Sequence, residues 1–363
     1  MSLSSGIVGL PNAGKSTLFN AITRGHAQVG KYAFTTVEPN QGLIQVPDSR
    51  LTALAEIVQP TKVTPATSRF VDIAGLVRGA SRGEGLGNRF LSHIRECDSL
   101  IHVVRCFEDE TVAHVDQTID PVRDAQIVET EMILADLEAL ERRLAKILPR
   151  IKAREEDALR DASYIQQIME YLNSGTPASR LGEPLARRAR EWDLLTSKKT
   201  VYVANISESD LLSSPSGNLT RLLEYAKANS SEVIALCARL EADLSALDPE
   251  DARLYREELG LPASRIPDLV LTSYRVLGLI TFYTFNEKEL RANAITQGTT
   301  APEAAGKIHS DMEKGFIRAE VVDSADLIRL GSMKKCKDSG AVRLEGRDYV
   351  VRDGDVIYFR FAV

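Results

Sequence analysis

The segment that most constrains the fold is Gly9–Ser16, which reads GLPNAGKS and lies between a short apolar run and a helical pattern. It matches the GxxxxGKS pattern of a phosphate-binding loop in the strand–loop–helix setting that this pattern requires. Glycines in such a loop let backbone N–H groups point inward around phosphates, and the following helix directs its positive end at the anion. The segment predicts a site in which Lys15 reaches the β- and γ-phosphate oxygens of a nucleotide and Ser16 contacts Mg²⁺.

Two further elements follow the loop in the order that a nucleotide-dependent switch requires. Asp72 ends an apolar strand and begins a DxxG element that closes at Gly75. In such elements the carboxylate holds the Mg²⁺ shell, and the glycine senses the γ-phosphate. Thr35 and Thr36 lie between the two elements in a predicted loop, and one of these threonines is expected to reach the metal ion.

The fourth element of the site is the segment expected to recognise the base of the nucleotide. A guanine-reading site carries NKxD, whereas this chain has Asn205-Ile206-Ser207-Glu208 at the end of a predicted strand. The lysine is missing, and a longer glutamate replaces the aspartate that accepts hydrogen bonds from guanine. An asparagine amide pairs with adenine by accepting from N6 and donating to N7. The pattern therefore favours ATP over GTP, or relaxed specificity.

The residue that follows the DxxG element is Leu76, where a water-orienting glutamine often stands. Because a leucine side chain cannot orient water, hydrolysis requires another polar group, a partner or a metal ion. The candidates are His114, Asn12 and a second cation. The alternative for His114, which follows the acidic segment Glu108–Glu110, is an ordinary surface position. His102 lies inside an apolar strand, which favours a structural role.

Short apolar runs alternate with helical segments over 6–123, and the strand pattern resumes at 200–206 and 232–237. This alternation predicts an α/β domain, a mostly parallel sheet with helices on its faces. We assign 1–123 and 199–275 to it, as a P-loop NTPase domain.

The segment 124–198 has a different period. Apolar residues spaced 4, 3, 4, 3, 4 form a heptad seam that comprises Ile133, Leu137, Leu140, Leu144, Ile147 and Ile151. Later apolar positions allow a return helix, so we predict an antiparallel helical coiled coil inserted into the nucleotide domain. Its basic residues cluster at 142–154 and 187–190, which indicates either a solvated flank or a docking face for RNA.

The pattern changes again over 276–363. Short strands are predicted there at 281–285, 317–322, 348–351 and 356–361, with a helix over 301–312. This predicts a small β-rich module.

Composition excludes several classes of protein. The net charge of −6 and the pI near 5.6 exclude a protein that mainly neutralises phosphates along a duplex. Four cysteines without a CxxC pair predict neither a zinc site nor a disulfide framework, and they fit a reducing cytosol. No run approaches 18 apolar residues, and the N-terminus lacks a signal-peptide pattern, so we expect a cytoplasmic protein without a membrane partner.

Taken together, these motifs resemble the YchF branch of the Obg-like P-loop NTPases. The resemblance extends to YAFTTVEPN at 32–40, GEGLGN at 83–88, RCFE at 105–108, GFIRAEV at 315–321 and LEGRDYVVRDGDVIYFRF at 344–361. It implies a Ras-like nucleotide domain, a coiled-coil insert and a C-terminal TGS module with a ubiquitin-like β-grasp fold. It also implies an ATPase that binds ATP better than GTP and associates with ribosomes, with a regulatory role in translation and the oxidative-stress response.

The resemblance also implies roles for individual residues. The phosphate-binding set would comprise Asn12, Ala13, Gly14, Lys15, Ser16 and Thr17. Ser16 and Thr36 would bind Mg²⁺, and the adenine would lie against Asn205 and the backbone at Ile206. His114 matches the family's loop histidine and is the expected catalytic residue, together with Lys15. Asn12 matches an asparagine that related NTPases associate with K⁺.

We therefore expect a slow Mg²⁺-dependent ATPase switch that docks on the ribosome, either on its large subunit or on the 70S particle, and a monomer is favoured. Two alternatives remain open. One is a nucleotide-sensing module that binds ribosomes or RNA with negligible turnover. The other is an Obg-type GTPase.

Overall fold

The computed structural model describes residues 3–26, 40–73, 86–114 and 118–362 of the chain. The strands in these ranges are β1 (Ser4–Val8), β2 (Asn40–Gln45), β3 (Lys62–Thr64), β4 (Thr67–Asp72), β5 (Ser99–Arg105), β6 (Lys199–Asn205), β7 (Val233–Leu236), β8 (Leu279–Phe285), β9 (Glu289–Thr296), β10 (Phe316–Asp323), β11 (Arg343–Glu345) and β12 (Asp355–Phe361). The helices are α1 (Lys15–His26), α2 (Ser49–Val58), α3 (Leu86–Arg95), α4 (Pro121–Lys152), α5 (Glu156–Asn173), α6 (Leu185–Glu191), α7 (Gly217–Ala228), α8 (Ala238–Leu244), α9 (Pro249–Glu258), α10 (Ile266–Val276), α11 (Ala301–Ile308), α12 (Ser310–Lys314), α13 (Ser324–Leu330) and α14 (Met333–Asp338). Within the described ranges, no helix is both long enough and apolar enough to span a bilayer.

The chain divides into two compact units. Unit 1 holds the described residues of Met1–Leu43 and Arg69–Leu269, and unit 2 holds Ile44–Ser68 and Val270–Val363. The sequence assigned 44–68 to the nucleotide domain, whereas the structure packs it with the C-terminal segment. The physical reason is that β3 pairs with β9 in parallel, and Arg50 Nη1 lies 2.8 Å from Asp353 Oδ2.

The sheet that carries the P-loop has the strand order β2-β4-β1-β5-β6-β7. The pairs β1–β4, β1–β5, β5–β6 and β6–β7 are all parallel, so the predicted parallel α/β sheet is confirmed. Every residue of β5 is buried because this strand is flanked by β1 and β6. That position explains why its sequence is an almost continuous apolar run rather than an alternating one.

Helix α4 is 32 residues long and joins two hydrophobic cores of unit 1. It begins at Pro121, and Asp120 caps it by accepting hydrogen bonds from two backbone N–H groups of the first turn. Val128 and Met132 pack into a core shared with β1, β4 and α3. Ile133, the residue after Met132, and Leu140 pack into a second core that includes Ile165, Ile168 and Leu172 of α5.

The predicted return helix is divided into α5 and α6, which are separated by the turn that includes Gly175. Leu195 lies within the predicted insert 124–198, but it packs in the core that includes Val128 and Met132 and not in the core between α4 and α5. Asp136 of α4 holds this region in place. It is fully buried and accepts hydrogen bonds from the backbone N–H groups of Leu195 and Thr196 at 2.7 and 2.8 Å.

Unit 2 contains a mixed sheet with the order β11-β10-β12-β8-β9-β3. Strands β8 and β9 form an antiparallel pair, β12 pairs with β8 in parallel, and α11 contributes to the core beneath the sheet. The predicted strand at 348–351, which lies wholly within the described residues, is wrong, since only an isolated bridge joins Val350 to Thr300. The predicted helix over 301–312 is interrupted at His309, which separates α11 from α12.

Candidate functional site

The P-loop connects the end of β1 to the start of α1, and two of its glycines occupy positions that no other residue fits. Gly9 has φ +149°, and a Cβ built there would lie 2.4 Å from the carbonyl oxygen of Val103. Gly14 has φ +98°, and its Cβ would lie 2.3 Å from Asn205 Nδ2. Both contacts are closer than any real Cβ makes, so the loop packs against β5 and β6 only because these side chains are missing.

Lys15, the first residue of α1, is 7% exposed, and its Nζ donates a hydrogen bond to the carbonyl oxygen of Leu10 at 2.8 Å. Burial lowers the pKa of this ammonium group to about 8, and the nearby Asp72 partly opposes the shift. A buried ammonium group with one neutral partner gains strongly from a bound polyanion. This is the property expected of the lysine that receives the phosphates.

The Ser16 hydroxyl donates a hydrogen bond to Asp72 Oδ2 at 3.0 Å. Burial raises the pKa of the Asp72 carboxyl group, although the Ser16 hydrogen bond and Lys15 oppose the shift. A hydroxyl and a partly desolvated carboxylate are hard oxygen donors that fit Mg²⁺, an ion that usually takes few protein ligands alongside substrate phosphates. In the described part of the chain, no cluster of three or more histidine, cysteine or acidic side chains offers an alternative metal cage.

Four residues singled out from the sequence lie outside the described ranges. They are the two candidate Mg²⁺ ligands Thr35 and Thr36, the phosphate sensor Gly75 and the hydrophobic residue Leu76. The structure therefore brings together Lys15, Ser16 and Asp72, and these other assignments stay predictions.

Asn205 is predicted to read the base, but both polar atoms of its side-chain amide form hydrogen bonds within the protein. Its Nδ2 donates to the carbonyl oxygen of Ala13 at 2.9 Å, and its Oδ1 accepts the N–H of Ala238 at 3.0 Å. The residue is 5% exposed. The sequence therefore missed a role in which Asn205 joins the P-loop to the first residue of α8. Pairing with adenine would use the second hydrogen of Nδ2 and the second lone pair of Oδ1.

The neighbours of Asn205 differ in what they present to a ligand. The Ile206 backbone N–H is occupied, since it donates to the carbonyl oxygen of Leu236 at 3.0 Å. Glu208 is exposed, so its carboxylate faces solvent. The Ser207 hydroxyl donates a hydrogen bond to Asp210 Oδ2 at 2.7 Å, so the Asp210 carboxylate is engaged within the turn that follows β6.

His114 does not occupy the surface position considered as its alternative. Its side chain is 7% exposed, and Nε2 lies 2.8 Å from Asp124 Oδ2 of α4. The preceding residue is attached to the P-loop, because Asn12 Nδ2 donates to the carbonyl oxygen of Ala113 at 3.1 Å. A small cavity that is lined by Pro11 and Ala13 is also lined by His114 and Asp124. The structure thus places the histidine beside the P-loop.

The loop that leads to His114 is shaped by Arg105, a role that the sequence did not reveal. Arg105 is 4% exposed and donates to the carbonyl oxygens of Phe107, Asp109 and Val112 at 3.2, 2.9 and 2.9 Å. Its guanidinium also lies over the Phe107 ring. An arginine at the end of a buried strand is the signal that could have identified it, because such a charge requires compensating acceptors.

Comparison with known proteins adds to this geometry. Residues 4–136 match the family described as 50S ribosome-binding GTPase, and residues 279–362 match the C-terminal YchF-GTPase family, described as a protein of unknown function (DUF933). The Bacillus subtilis protein named ribosome-binding ATPase YchF is 47% identical over 367 residues, and the match covers 100% of both chains. This chain belongs to the YchF family.

Other YchF relatives agree with this assignment. The Escherichia coli O157:H7 ribosome-binding ATPase YchF is 42% identical, with both chains covered completely. The solved structure titled Schizosaccharomyces pombe YchF GTPase matches with a TM-score of 0.88 and 33% identity, and it covers 99% of this chain and 98% of that one. The likeness of fold therefore extends along the whole chain. The names of these YchF relatives differ on the nucleotide, since the two bacterial proteins are named ATPases and the S. pombe protein a GTPase.

Proposed function

We propose that this YchF-family chain is a Mg²⁺-dependent P-loop ATPase, with GTP as a weaker substrate, that acts as a ribosome-associated regulatory switch in translation and the stress response. The observation that carries the proposal is the buried Lys15 beside the Ser16–Asp72 pair, at the end of a P-loop shaped for phosphates. The names of the bacterial relatives support both the ATPase activity and the ribosome as partner.

The proposed Mg²⁺ ion would be held by Ser16 and Asp72, with Thr36 as the third protein ligand. Bound there, it would neutralise charge on the phosphates. The chain's own residues do the rest. Lys15 and the backbone N–H groups of Asn12, Ala13, Gly14, Ser16 and Thr17 hold and orient the phosphates, and Gly75 senses the γ-phosphate.

Because Leu76 cannot orient water, His114 is the proposed catalytic residue. The expected result for His114→Ala is that kcat falls by about a hundred-fold, which is within the usual contribution of a positioned acid–base group. The dissociation constant for ATP should change little. Turnover equal to wild type would return His114 to a structural role.

Asn12 is proposed to contact K⁺ as a second cation at the phosphates. The test compares ATP turnover in K⁺ with turnover in Na⁺ at equal ionic strength, for wild type and for Asn12→Ala. Selective stimulation by K⁺ in wild type alone supports this role, and equal rates in both salts would remove it.

The preference for ATP rests on Ile206 and Glu208, which replace the lysine and the aspartate of the guanine-reading pattern. Titration of labelled ATP and GTP against the purified protein decides the question, because the two ligands differ only in the base. Tighter binding of ATP is expected. Ten-fold tighter binding of GTP would overturn the adenine assignment and favour the Obg-type GTPase.

For the domains, we propose that 124–198 is an inserted coiled coil and that 276–363 is a TGS module of β-grasp type. The packing of α4 on α5 supports the first, and the mixed sheet with α11 in its core supports the second. Each is proposed to contact the ribosome or its RNA. We also propose a cytoplasmic monomer.

The basic cluster of the hairpin allows a charge-matched test of docking. Arg142 and Lys146 are exposed on α4, and Arg142 pairs with Glu138 at 3.2 Å. Arg142→Glu with Lys146→Glu should weaken co-sedimentation with ribosomes and reduce its salt dependence. The matched control is Arg253→Glu with Arg265→Glu, two exposed arginines that also pair with carboxylates. Equal effects of both pairs would indicate a non-specific response to net charge.

The second candidate is a module that senses ATP with negligible turnover. In that case the basic residues of the insert 124–198 would form only a solvated flank. Their ion pairs within the insert, such as Arg187 with Glu191 at 2.9 Å, fit such a flank. Single-turnover hydrolysis with ribosomes and K⁺ present separates the candidates. Product formation above the rate of a Lys15→Met control supports the ATPase.

A further inference from the structure

One face of the mixed sheet in unit 2 is covered at one end and open at the other. Strand β12 pairs with β8 at Val356 and Tyr283, and both of these side chains are buried. The Tyr283 hydroxyl donates a hydrogen bond to Asp48, so the segment 44–68 covers this end of the face. Tyr358, two residues further along β12, projects to the same side, because side chains alternate along a strand. It is nevertheless 49% exposed, so the cover stops short of it.

The strands next to β12 extend this open end of the sheet. Glu320 of β10 lies opposite Tyr358, and Arg318 lies opposite Arg360. On the other side of β10, Leu344 of β11 lies opposite Glu320. Residues that lie directly opposite each other in an antiparallel pair project from the same face of the sheet. We call this surface the open face, and it comprises Ile317, Arg318, Glu320, Leu344, Tyr358 and Arg360.

A β-bulge in β10 changes what the open face presents. The register of β10 with β12 shifts between Phe316 and Arg318, so Ile317 is the extra residue of the bulge. Ile317 and Arg318 are both exposed, whereas Phe316 and Ala319 on either side of them are buried. The bulge therefore exposes an aliphatic and a cationic side chain where regular alternation would bury one of the two.

The open face carries an excess of positive charge. Arg318 and Arg360 lie directly opposite each other, and like charges in this arrangement destabilise the strand pair. Arg360 Nη2 lies 2.9 Å from Glu320 Oε1, and Lys337 Nζ of α14 lies 3.3 Å from Oε2 of the same carboxylate. Three cationic side chains thus share one carboxylate, and a bound anion would relieve their repulsion.

Tyr358 is stacked against a planar cation. The Arg360 guanidinium lies over the Tyr358 ring, 4.5 Å from the ring centroid. This contact restrains both side chains in an exposed position. Unpaired bases of nucleic acids stack on aromatic rings and on guanidinium planes, and a positively charged surface beside them holds the backbone. The stacked pair therefore has the form of a site for an unpaired base.

We propose that the open face binds single-stranded RNA, with an unpaired base stacked on the Tyr358–Arg360 pair and the phosphates held by Arg318 and Lys337. A duplex is disfavoured because its bases are stacked on one another and do not reach the ring. The positive charge of the face disfavours a basic protein segment. The inference rests on the ribosome contact proposed for 276–363, and it names the surface and the kind of RNA. The alternative is an ordinary surface, on which single exposed apolar residues are common.

The experiment titrates a fluorescein-labelled oligouridine RNA with the full-length chain. Uridine avoids competition for the nucleotide site, and the same strand annealed to oligoadenosine provides the duplex. Tighter binding of the single strand is expected. Tyr358→Ala should weaken it by about ten-fold through the loss of stacking, and Tyr358→Phe should stay within about two-fold of wild type. Tyr171→Ala is the matched control, since Tyr171 is 48% exposed on α5 in unit 1 and should leave RNA affinity unchanged.

A salt titration tests the phosphate contacts. Arg318→Gln should lower the slope of log affinity against log salt concentration by about 0.7, the value expected for one phosphate of a single strand. Arg253→Gln is the control, because this exposed arginine lies in unit 1, and the slope should stay at the wild-type value. Equal slopes in wild type and Arg318→Gln would remove Arg318 from the site.

Three results would overturn the inference. The first is equal affinity for the single strand and the duplex, and the second is wild-type affinity in Tyr358→Ala, as expected of an ordinary surface. The third is weakened co-sedimentation of Tyr358→Ala with ribosomes while its oligouridine affinity is unchanged. This third result would mean that the open face contacts a ribosomal protein.

The outcomes also separate this inference from the proposed function. ATP turnover of Tyr358→Ala and Arg318→Gln should equal that of wild type, because neither residue belongs to the phosphate site. Failure of the RNA measurements with ATP turnover and ribosome co-sedimentation intact would overturn this inference alone. RNA binding through Tyr358 in a wild-type protein without ATP turnover would support the inference and contradict the ATPase.

Discussion

Asn205 Nδ2 donates a hydrogen bond to the carbonyl oxygen of Ala13 at 2.9 Å, which ties the strand that precedes the base-binding segment to the phosphate-binding loop. Because Asn205 Oδ1 also accepts the N–H of Ala238, one buried side chain joins three segments that are distant in the sequence. The conformation of the P-loop thus depends on a residue that sequence patterns assign to base recognition.

Asn205→Asp should therefore weaken both nucleotides. The substitution replaces the Nδ2 donor with an acceptor that faces the carbonyl oxygen of Ala13, which costs about 1–3 kcal/mol for the lost partner. Titration should show ATP and GTP affinities reduced by similar factors of roughly ten to a hundred. The control is Glu208→Gln, because the exposed Glu208 side chain takes no part in the contact between Asn205 and Ala13. This substitution should change the ratio of the ATP and GTP affinities without lowering both by the same factor. A loss confined to ATP in Asn205→Asp would instead mean that the residue mainly reads the base.

Gly14→Ala should have a related effect by a steric route. Its Cβ would lie 2.3 Å from Asn205 Nδ2, and the φ of +98° is unfavourable for any residue with a Cβ. We expect nucleotide affinity to fall by at least about ten-fold, because a clash and a strained backbone each cost about 1 kcal/mol or more. Gly217→Ala is the matched control, since a Cβ at this helical glycine meets nothing within 4 Å. Wild-type affinity in Gly14→Ala would show that the loop can relax around the methyl group.

The parts of the fold that could be predicted are those encoded locally. The apolar run of β5 and the P-loop motif carry their signals within a few residues, so the parallel sheet and the phosphate site were both predictable. Strand β9 was not predicted, because only Leu290, Ala292 and Ile295 are buried in its mostly polar sequence. Strand β3 is three residues long and is defined by pairing with β9, a partner more than 200 positions away.

The site, like the fold, was predictable only where its residues belong to local sequence motifs. Lys15, Ser16 and Asp72 belong to short motifs whose spacing encodes their chemistry, and the structure brings them together. The partnership of His114 with Asp124 and that of Asn205 with Ala13 arise from tertiary packing, so neither has a spacing that a single sequence can reveal. An acidic residue in the first turn of α4 reads simply as a favourable helix-dipole contact.

Lys15→Met should separate nucleotide affinity from stability. Burial lowers the pKa of Lys15 to about 8, so the group is still mostly charged at pH 7, and burying that charge costs free energy in the nucleotide-free protein. Removing the charge should raise the thermal midpoint of the nucleotide-free protein by a few degrees, while ATP affinity falls roughly ten- to a hundred-fold through the loss of a charge-assisted contact.

Lys198→Met is the matched control for this prediction. Its side chain is 8% exposed, and Nζ donates to the carbonyl oxygens of Arg95 and Cys97 at 3.0 and 2.6 Å. The loss of these contacts should lower the thermal midpoint and leave ATP affinity unchanged. If Lys15→Met also lowered the midpoint, the hydrogen bond to Leu10 would outweigh the cost of burying the charge.

His102 should make unit 1 sensitive to acid. Burial, together with the charge of Lys15, lowers the pKa of His102 to about 3, so the folded protein keeps this imidazole neutral. In the unfolded chain the group titrates near about 6.5. Between these two values the unfolded state binds one more proton than the folded state, so stability falls as the pH is lowered, by up to about 1.4 kcal/mol per pH unit.

His102→Leu should therefore reduce the loss of thermal stability between pH 7 and pH 5. Thermal midpoints at the two pH values measure it, and the drop in wild type should exceed that of the variant by several degrees, the equivalent of about 2 kcal/mol. His309→Gln is the control, because that histidine is 65% exposed and should leave the pH dependence unchanged. Equal drops in wild type and His102→Leu would mean that other groups, rather than this buried ring beside Tyr202, set the response to acid.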